Sequence, residues 1–191
     1  LSDVLTRHVF AMVPGPGAQT HAVGDTQAEG PYLDVRAETL AAVLVGPADQ
    51  KTKRHAESEM RRLRLYDEPQ GFPLFRALAS AERVEPMELE RGGLEPVYVA
   101  SGVGTLYARF NWTSDGAWFA ASCSRARDID HMHPNAGNFV LRRGPDDVIV
   151  DPSPYGTLST LTGNAPTVES KNLPDEYLPS QPGASLDYIH G

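Results

Sequence analysis

The chain has 191 residues, 40% hydrophobic and 22% charged, enough for one large domain or two small ones with a sizeable core. Its formal net charge of -8 argues against a nucleic-acid binder and gives no overall attraction for an acidic polysaccharide, so any site for such a ligand must be local. No run of about 18 apolar residues exists, so no membrane-spanning helix is expected, and Leu1-Ser2-Asp3, with neither Met nor signal peptide, reads as an internal start.

The first third reads as helical. Leu1 to Val13 places Val4, Leu5, Val9 and Met12 at near-helical spacing, with Ser2 as candidate N-cap and Pro14-Gly15-Pro16-Gly17 as the stop. Residues 15 to 31 form a long loop rich in Gly and small polar residues. Asp34 to Val45 is a second helix, with Val35, Leu40, Val43 and Leu44 as its apolar positions and Gly46-Pro47 ending it. Asp49 to Tyr66 is a third. Its basic run (Lys51, Lys53, Arg54, Arg61, Arg62, Arg64) is partly balanced by Glu57 and Glu59 and reads as a solvated face. His8 belongs to a helix face; His55 and His190 read as surface residues. Residues 67 to 95, rich in Pro and Gly, form a connector with a short helix over Leu74 to Ala81.

From Pro96 the pattern changes to strand and turn. Val97 to Ala100 is apolar, Thr105 to Trp112 alternates, and Trp118 to Ala121 follows the turn signal Asp115-Gly116. Phe139-Val140-Leu141 and Val148-Ile149-Val150 flank Arg142 to Asp147, which reads as a hairpin loop. Trp112 and Trp118 are expected in the core. Cys123 is the single cysteine, so no intrachain disulfide can form; its small neighbours suggest a buried core position. The expected fold is an α+β multidomain fragment: a helical segment over 1–66, the connector over 67–95, and an antiparallel β-sandwich over 96–191.

The chemistry-bearing stretch runs from Asp130 to Asp151. His131 and His133 stand two apart, which in a strand puts both imidazoles on one face. If residues 139 to 150 form a hairpin, Asp151 returns near His133, and two His plus a carboxylate make a plausible zinc set. The plainer alternative is an exposed pair at a turn, favoured by Pro134-Asn135 directly after it. Gly137 would permit close backbone approach or a bulge. Tyr155 can act as acid or base if it faces this cleft, or can pack under its Pro-rich loop. Asn164 can cap a turn or contact a sugar. His21, in the Gly-rich loop, can reach a sugar if that loop lines the cleft.

The run His131-Met132-His133-Pro134-Asn135-Ala136-Gly137-Asn138-Phe139, followed by Val150-Asp151-Pro152, resembles the core motif of the heparinase II/III-like polysaccharide lyases. The match covers mainly residues 96 to 170. The helical opening resembles the last helices of that family's α/α toroid, less specifically. The resemblance implies cleavage of an acidic, uronic acid-containing polysaccharide by β-elimination, and a periplasmic or secreted protein. It gives His131 the place of the His at the substrate carboxylate; beside it, Tyr155 stands as a second catalytic candidate and Asn135, Asn164 and His21 as candidate sugar contacts. It also implies a structural zinc held by His133 and Asp151. Departures are visible. Gly163 stands where the third zinc ligand would be, and Asn135 where the family usually has Asp. The family's upstream Tyr and its Asn or His companion have no matching segment. Two other classes fit the same residues: a non-catalytic carbohydrate-binding or structural sandwich derived from such a lyase, and a zinc-dependent hydrolase.

Overall fold

In a computed structural model, the described residues are 1–15, 19–21, 35–67, 73–82, 84–123, 136–151 and 164–165. They form an α+β arrangement. Four helices, α1 (Ser2–Ala11), α2 (Val35–Val45), α3 (Gln50–Arg62) and α4 (Pro73–Ala81), precede a five-stranded sheet. The strands are β1 (Val97–Ala100), β2 (Thr105–Arg109), β3 (Ala117–Ser122), β4 (Phe139–Arg143) and β5 (Asp146–Ile149). Each pairs antiparallel with the next in chain order. No described helix is long and apolar enough to cross a membrane.

Of the helix starts, that of α3 carries a side-chain cap for its free N–H groups. Asp49 caps α3: one carboxylate oxygen accepts from the Thr52 backbone N–H at 2.9 Å and the other from its hydroxyl at 2.5 Å. These bonds hold the Asp49 carboxyl below its usual range. Ser2 does not cap α1; the N-cap is Leu1, with no side-chain bond, and Ser2 sits inside the helix with Thr6 donating to its carbonyl at 3.0 Å. The short helix expected over 74–81 is α4.

The buried face of α3 departs from expectation. Thr52, His55, Ala56, Glu59 and Met60 all face inward, as does Glu57. His55 is not a surface residue: it is 9% exposed and its Nδ1 lies 2.9 Å from the Met87 carbonyl. Arg61 and Arg62 do lie outward, but their carboxylate partners are buried. Glu57 takes Arg61 at 2.6 Å and the Tyr66 hydroxyl; Glu59 takes Arg62 at 2.6 Å and Arg91. Burial alone would raise the Glu59 carboxyl, but the bond from Arg62 and the charge of Arg91 outweigh it and hold it low.

Two cores result. Leu5, Val9, Leu40, Leu44 and Met60 fill the helical one, and Ala79 of α4 joins them, so part of the 67–95 connector packs into the helices. Phe10, Tyr107, Trp118 and Val140 fill the second, between α1 and the sheet. Leu94 and Trp112 pack against both. Trp118 is wholly buried, and its indole N–H donates to the Phe10 carbonyl at 2.8 Å, which satisfies the polar edge of a large apolar ring.

The sheet is apolar on its other face too. The register puts Val97, Val99, Leu106, Phe119, Leu141 and Ile149 together there. Val97 and Val99 remain 50% and 58% exposed. Cys123 is exposed, not a core residue. Strand alternation explains it: Ser122, the last residue of β3, takes the inward position, and Cys123 follows past the strand's end.

Candidate functional site

The β4–β5 hairpin is tighter than expected. Both strands extend inward to a two-residue turn at Gly144-Pro145. Gly144 has φ 57, and a Cβ there would come within 3.1 Å of the Asp115 Cα, so two separate constraints favour glycine. The hairpin brings Asp151 back beside the start of β4. It meets Asn138, whose Nδ2 donates to Asp151 Oδ2 at 2.5 Å.

Asn138 is buried and central to a small network. Its Oδ1 accepts from the Asn164 backbone N–H at 2.7 Å. The Asn164 side-chain nitrogen in turn donates to the carbonyls of Phe139 (2.9 Å) and Val150 (2.6 Å). The two amides therefore clasp three chain segments where the ladder ends, and each buried polar group gains a partner. Just before Asn138, Gly137 (φ 84) donates to the Ser122 carbonyl at 2.7 Å, so the glycine supplies a left-handed turn; the bulge lies further along, between Leu141 and Arg142.

His21 approaches from the other side. After α1 the chain doubles back: Val13 N–H donates to Gln19 at 2.8 Å, and His21 N–H to Ala11 at 2.7 Å. This sets the His21 imidazole on the edge of Trp118, with centroids 5.2 Å apart. Burial lowers the His21 pKa from 6.5 to about 4; the Asp151 charge opposes this, while Arg7 and Arg142 reinforce it. At neutral pH the ring is uncharged, able to accept or donate a hydrogen bond but not to neutralise an anion.

The sheet face turned toward α1 thus gathers His21, Trp118, Asn138, Asp151 and two cations. Arg142 lies opposite Trp118 in the β3–β4 ladder and its Nε is 2.6 Å from Asp147. The charge of Arg7, from α1, bears on both His21 and the buried hydroxyl of Tyr107, whose pKa burial raises. Asn138 had been only part of a motif, and Arg7, Tyr107 and Arg142 had no assigned role. Alternation was the available signal for two of them, since residues 138, 140 and 142 must share a face.

Of the residues singled out from the sequence, His21, Asp151 and Asn164 are described and lie near one another. His131, His133, Asn135 and Tyr155 lie outside the described residues. So does Gly163. Among the described residues no group of three or more His, Cys, Asp or Glu could hold a metal. Asp151 alone of the implied zinc ligands is described, and its Oδ2 accepts from Asn138. No protein-family model matches the chain, and no curated protein matches it.

Proposed function

We propose that this chain carries the substrate-facing strands of a polysaccharide lyase that cleaves a uronic acid-containing glycan by β-elimination. The observation that carries the reading is the polar cluster of His21, Asp151, Asn138 and Asn164, with Arg7 and Arg142, at the end of the hairpin that follows His131. The two arginines supply the local positive field that a chain of net charge -8 lacks overall.

The chemistry divides among these groups. The C5 proton of a uronate lies beside a carboxylate and is too weakly acidic to leave unaided. Hydrogen-bond donors on that carboxylate stabilise the charge that develops as the proton departs. His131 takes this role. A base removes the proton, its electron pair forms the C4–C5 double bond, the C4–O bond breaks, and an acid protonates the departing oxygen. Tyr155 is the candidate for proton transfer. Asn135 and His21 contact the sugar, His21 as a neutral hydrogen-bonding group. Asn164 directs its amide N–H groups to main-chain carbonyls, which makes it also a positioning residue. By the same resemblance, His133 and Asp151 would be ligands of a structural zinc.

The same reading covers the sheet's outer face. An apolar surface of Val97, Val99 and Phe119 suits a second sheet laid against it, completing a sandwich, and the helices suit the end of a toroid.

The natural full-length polypeptide, incubated with uronate polysaccharides, should generate the ultraviolet absorbance of an unsaturated uronate. His131→Ala should reduce that rate by about a hundredfold or more, the scale of a lost charge-stabilising group. Folded protein that gives no signal on glycosaminoglycan, alginate or bacterial exopolysaccharide defeats the proposal.

A further inference from the structure

Arg109 ends β2 on the inward face of the sheet and is only 8% exposed. Its guanidinium stacks on Trp112, 4.5 Å from the ring centroid. No carboxylate among the described residues pairs with it, and its buried Nε has no hydrogen-bond partner. Arg91 lies close enough to disfavour its charge. Arg91 is itself engaged by Glu59, which Arg62 shares. Trp112, on which Arg109 stacks, packs against both cores.

Burying an unpaired cation is costly, and proteins normally supply a counter-charge. Deprotonation does not remove the problem here: burial, then Arg91, lower the Arg109 pKa only to about 10, so it is charged at neutral pH. Stacking on Trp112 compensates one face of the guanidinium but leaves its Nε–H without an acceptor.

We propose that Arg109, with Arg91 beside it, binds one oxyanion (a carboxylate or sulfate group) at the seam between helices and sheet. A planar fork of donors, partly desolvated and backed by an aromatic ring, matches such a group in shape and charge. The position is separate from the His21 cluster. Arg109 and Arg142 flank Trp118 on opposite sides in the ladder. It does not depend on the lyase reading.

The test is thermal melting of the full chain in sodium sulfate against sodium chloride at matched ionic strength, for wild type, Arg109→Met and Arg109→Lys. Sulfate stabilises most proteins by exclusion, so the informative quantity is a saturable increment that requires Arg109. Wild type should gain ~2 °C or more at saturating sulfate beyond the exclusion effect, and R109M should lose that gain. R109K, which keeps the charge without the fork, should retain only part. In chloride R109M should melt no lower than wild type, because it removes an unpaired charge and keeps comparable bulk. Sodium glucuronate in place of sulfate separates the sources: an Arg109-dependent gain with glucuronate alone assigns the position to a glycan carboxylate, and one with sulfate alone to an inorganic or sulfate-ester anion. Equal increments in wild type and R109M with both anions overturn the proposal. So does an R109M protein that melts lower in chloride or fails to fold, since Arg109 would then already have a partner.

Discussion

His21→Gln gives the sharpest check on the cluster's electrostatics. The folded-state pKa lies below the ordinary 6.5, at about 4, so the unfolded chain binds the proton more readily throughout the interval between them. The burial of neutral His21 therefore contributes stability that is fully present above pH 6.5 and is lost as pH falls toward 4. Two and a half units correspond to roughly 3 kcal/mol. That is a large fraction of a small domain's total stability. Urea unfolding of wild type and H21Q, measured by tryptophan fluorescence at steps from pH 8 to pH 4, should show the wild type losing about that much more than the variant. Contributions common to both proteins cancel in the difference. The imidazole resonance, followed by NMR, should move only well below pH 6. Asp151→Asn should depress it further, because the Asp151 charge is the one influence that raises it. A His21 that titrates near 6.5, or equal pH slopes in the two proteins, would refute the placement of the ring against Trp118.

Two further substitutions probe the packing around this centre. Asn138→Leu should destabilise by about 2–3 kcal/mol in urea unfolding, because the Asp151 carboxylate and the Asn164 amide both lose a partner where few waters can replace it; an unchanged midpoint would mean the clasp is not formed. Glu59→Gln should cost about 3 kcal/mol at pH 7, since it leaves Arg62 and Arg91 without their common carboxylate. The Glu59 carboxyl is held below its ordinary value, so its contribution is present at neutral pH and lost as acidification protonates it; the difference between E59Q and wild type should shrink there.

Much of the fold was legible in the sequence because β2 and β3 alternate and α1 and α2 carry apolar stripes. Trp118 in a strand, the helix over 74–81 and the return of Asp151 along a hairpin all follow from period and turn chemistry. What was missed has a common physical origin. The inward stripe of α3, residues 52, 55, 56, 59 and 60, keeps helical spacing but includes Thr52, His55 and Glu59. A reading that looks for apolar residues cannot see a core face whose polar members are satisfied by Arg91 and the Met87 carbonyl, since those partners lie in the connector. Cys123 was misplaced by judging its neighbours' size rather than its parity relative to Ser122. For the candidate site, sequence located Asp151 and His21 but not their meeting. His21 reaches Trp118 only through the doubling back of residues 11 to 21, which has no periodic signal.

The charge of the whole chain and the charge of this face point in opposite directions, and screening decides between them. At physiological salt, exposed charges separated by more than about 8 Å scarcely interact. The acids that make the chain anionic therefore matter to a ligand only if they stand at the site. Three acids of this region are already engaged: Asp151 accepts from Asn138, Asp147 lies against Arg142, and Glu59 of α3 serves two guanidiniums. Arg7 and Arg109 are not matched in this way by any carboxylate the described contacts supply. What an approaching anion meets is the local residue of cations, with a neutral His21 beside them. Net charge excluded a broad basic surface, as nucleic-acid binding would need, and left open a local site at these arginines.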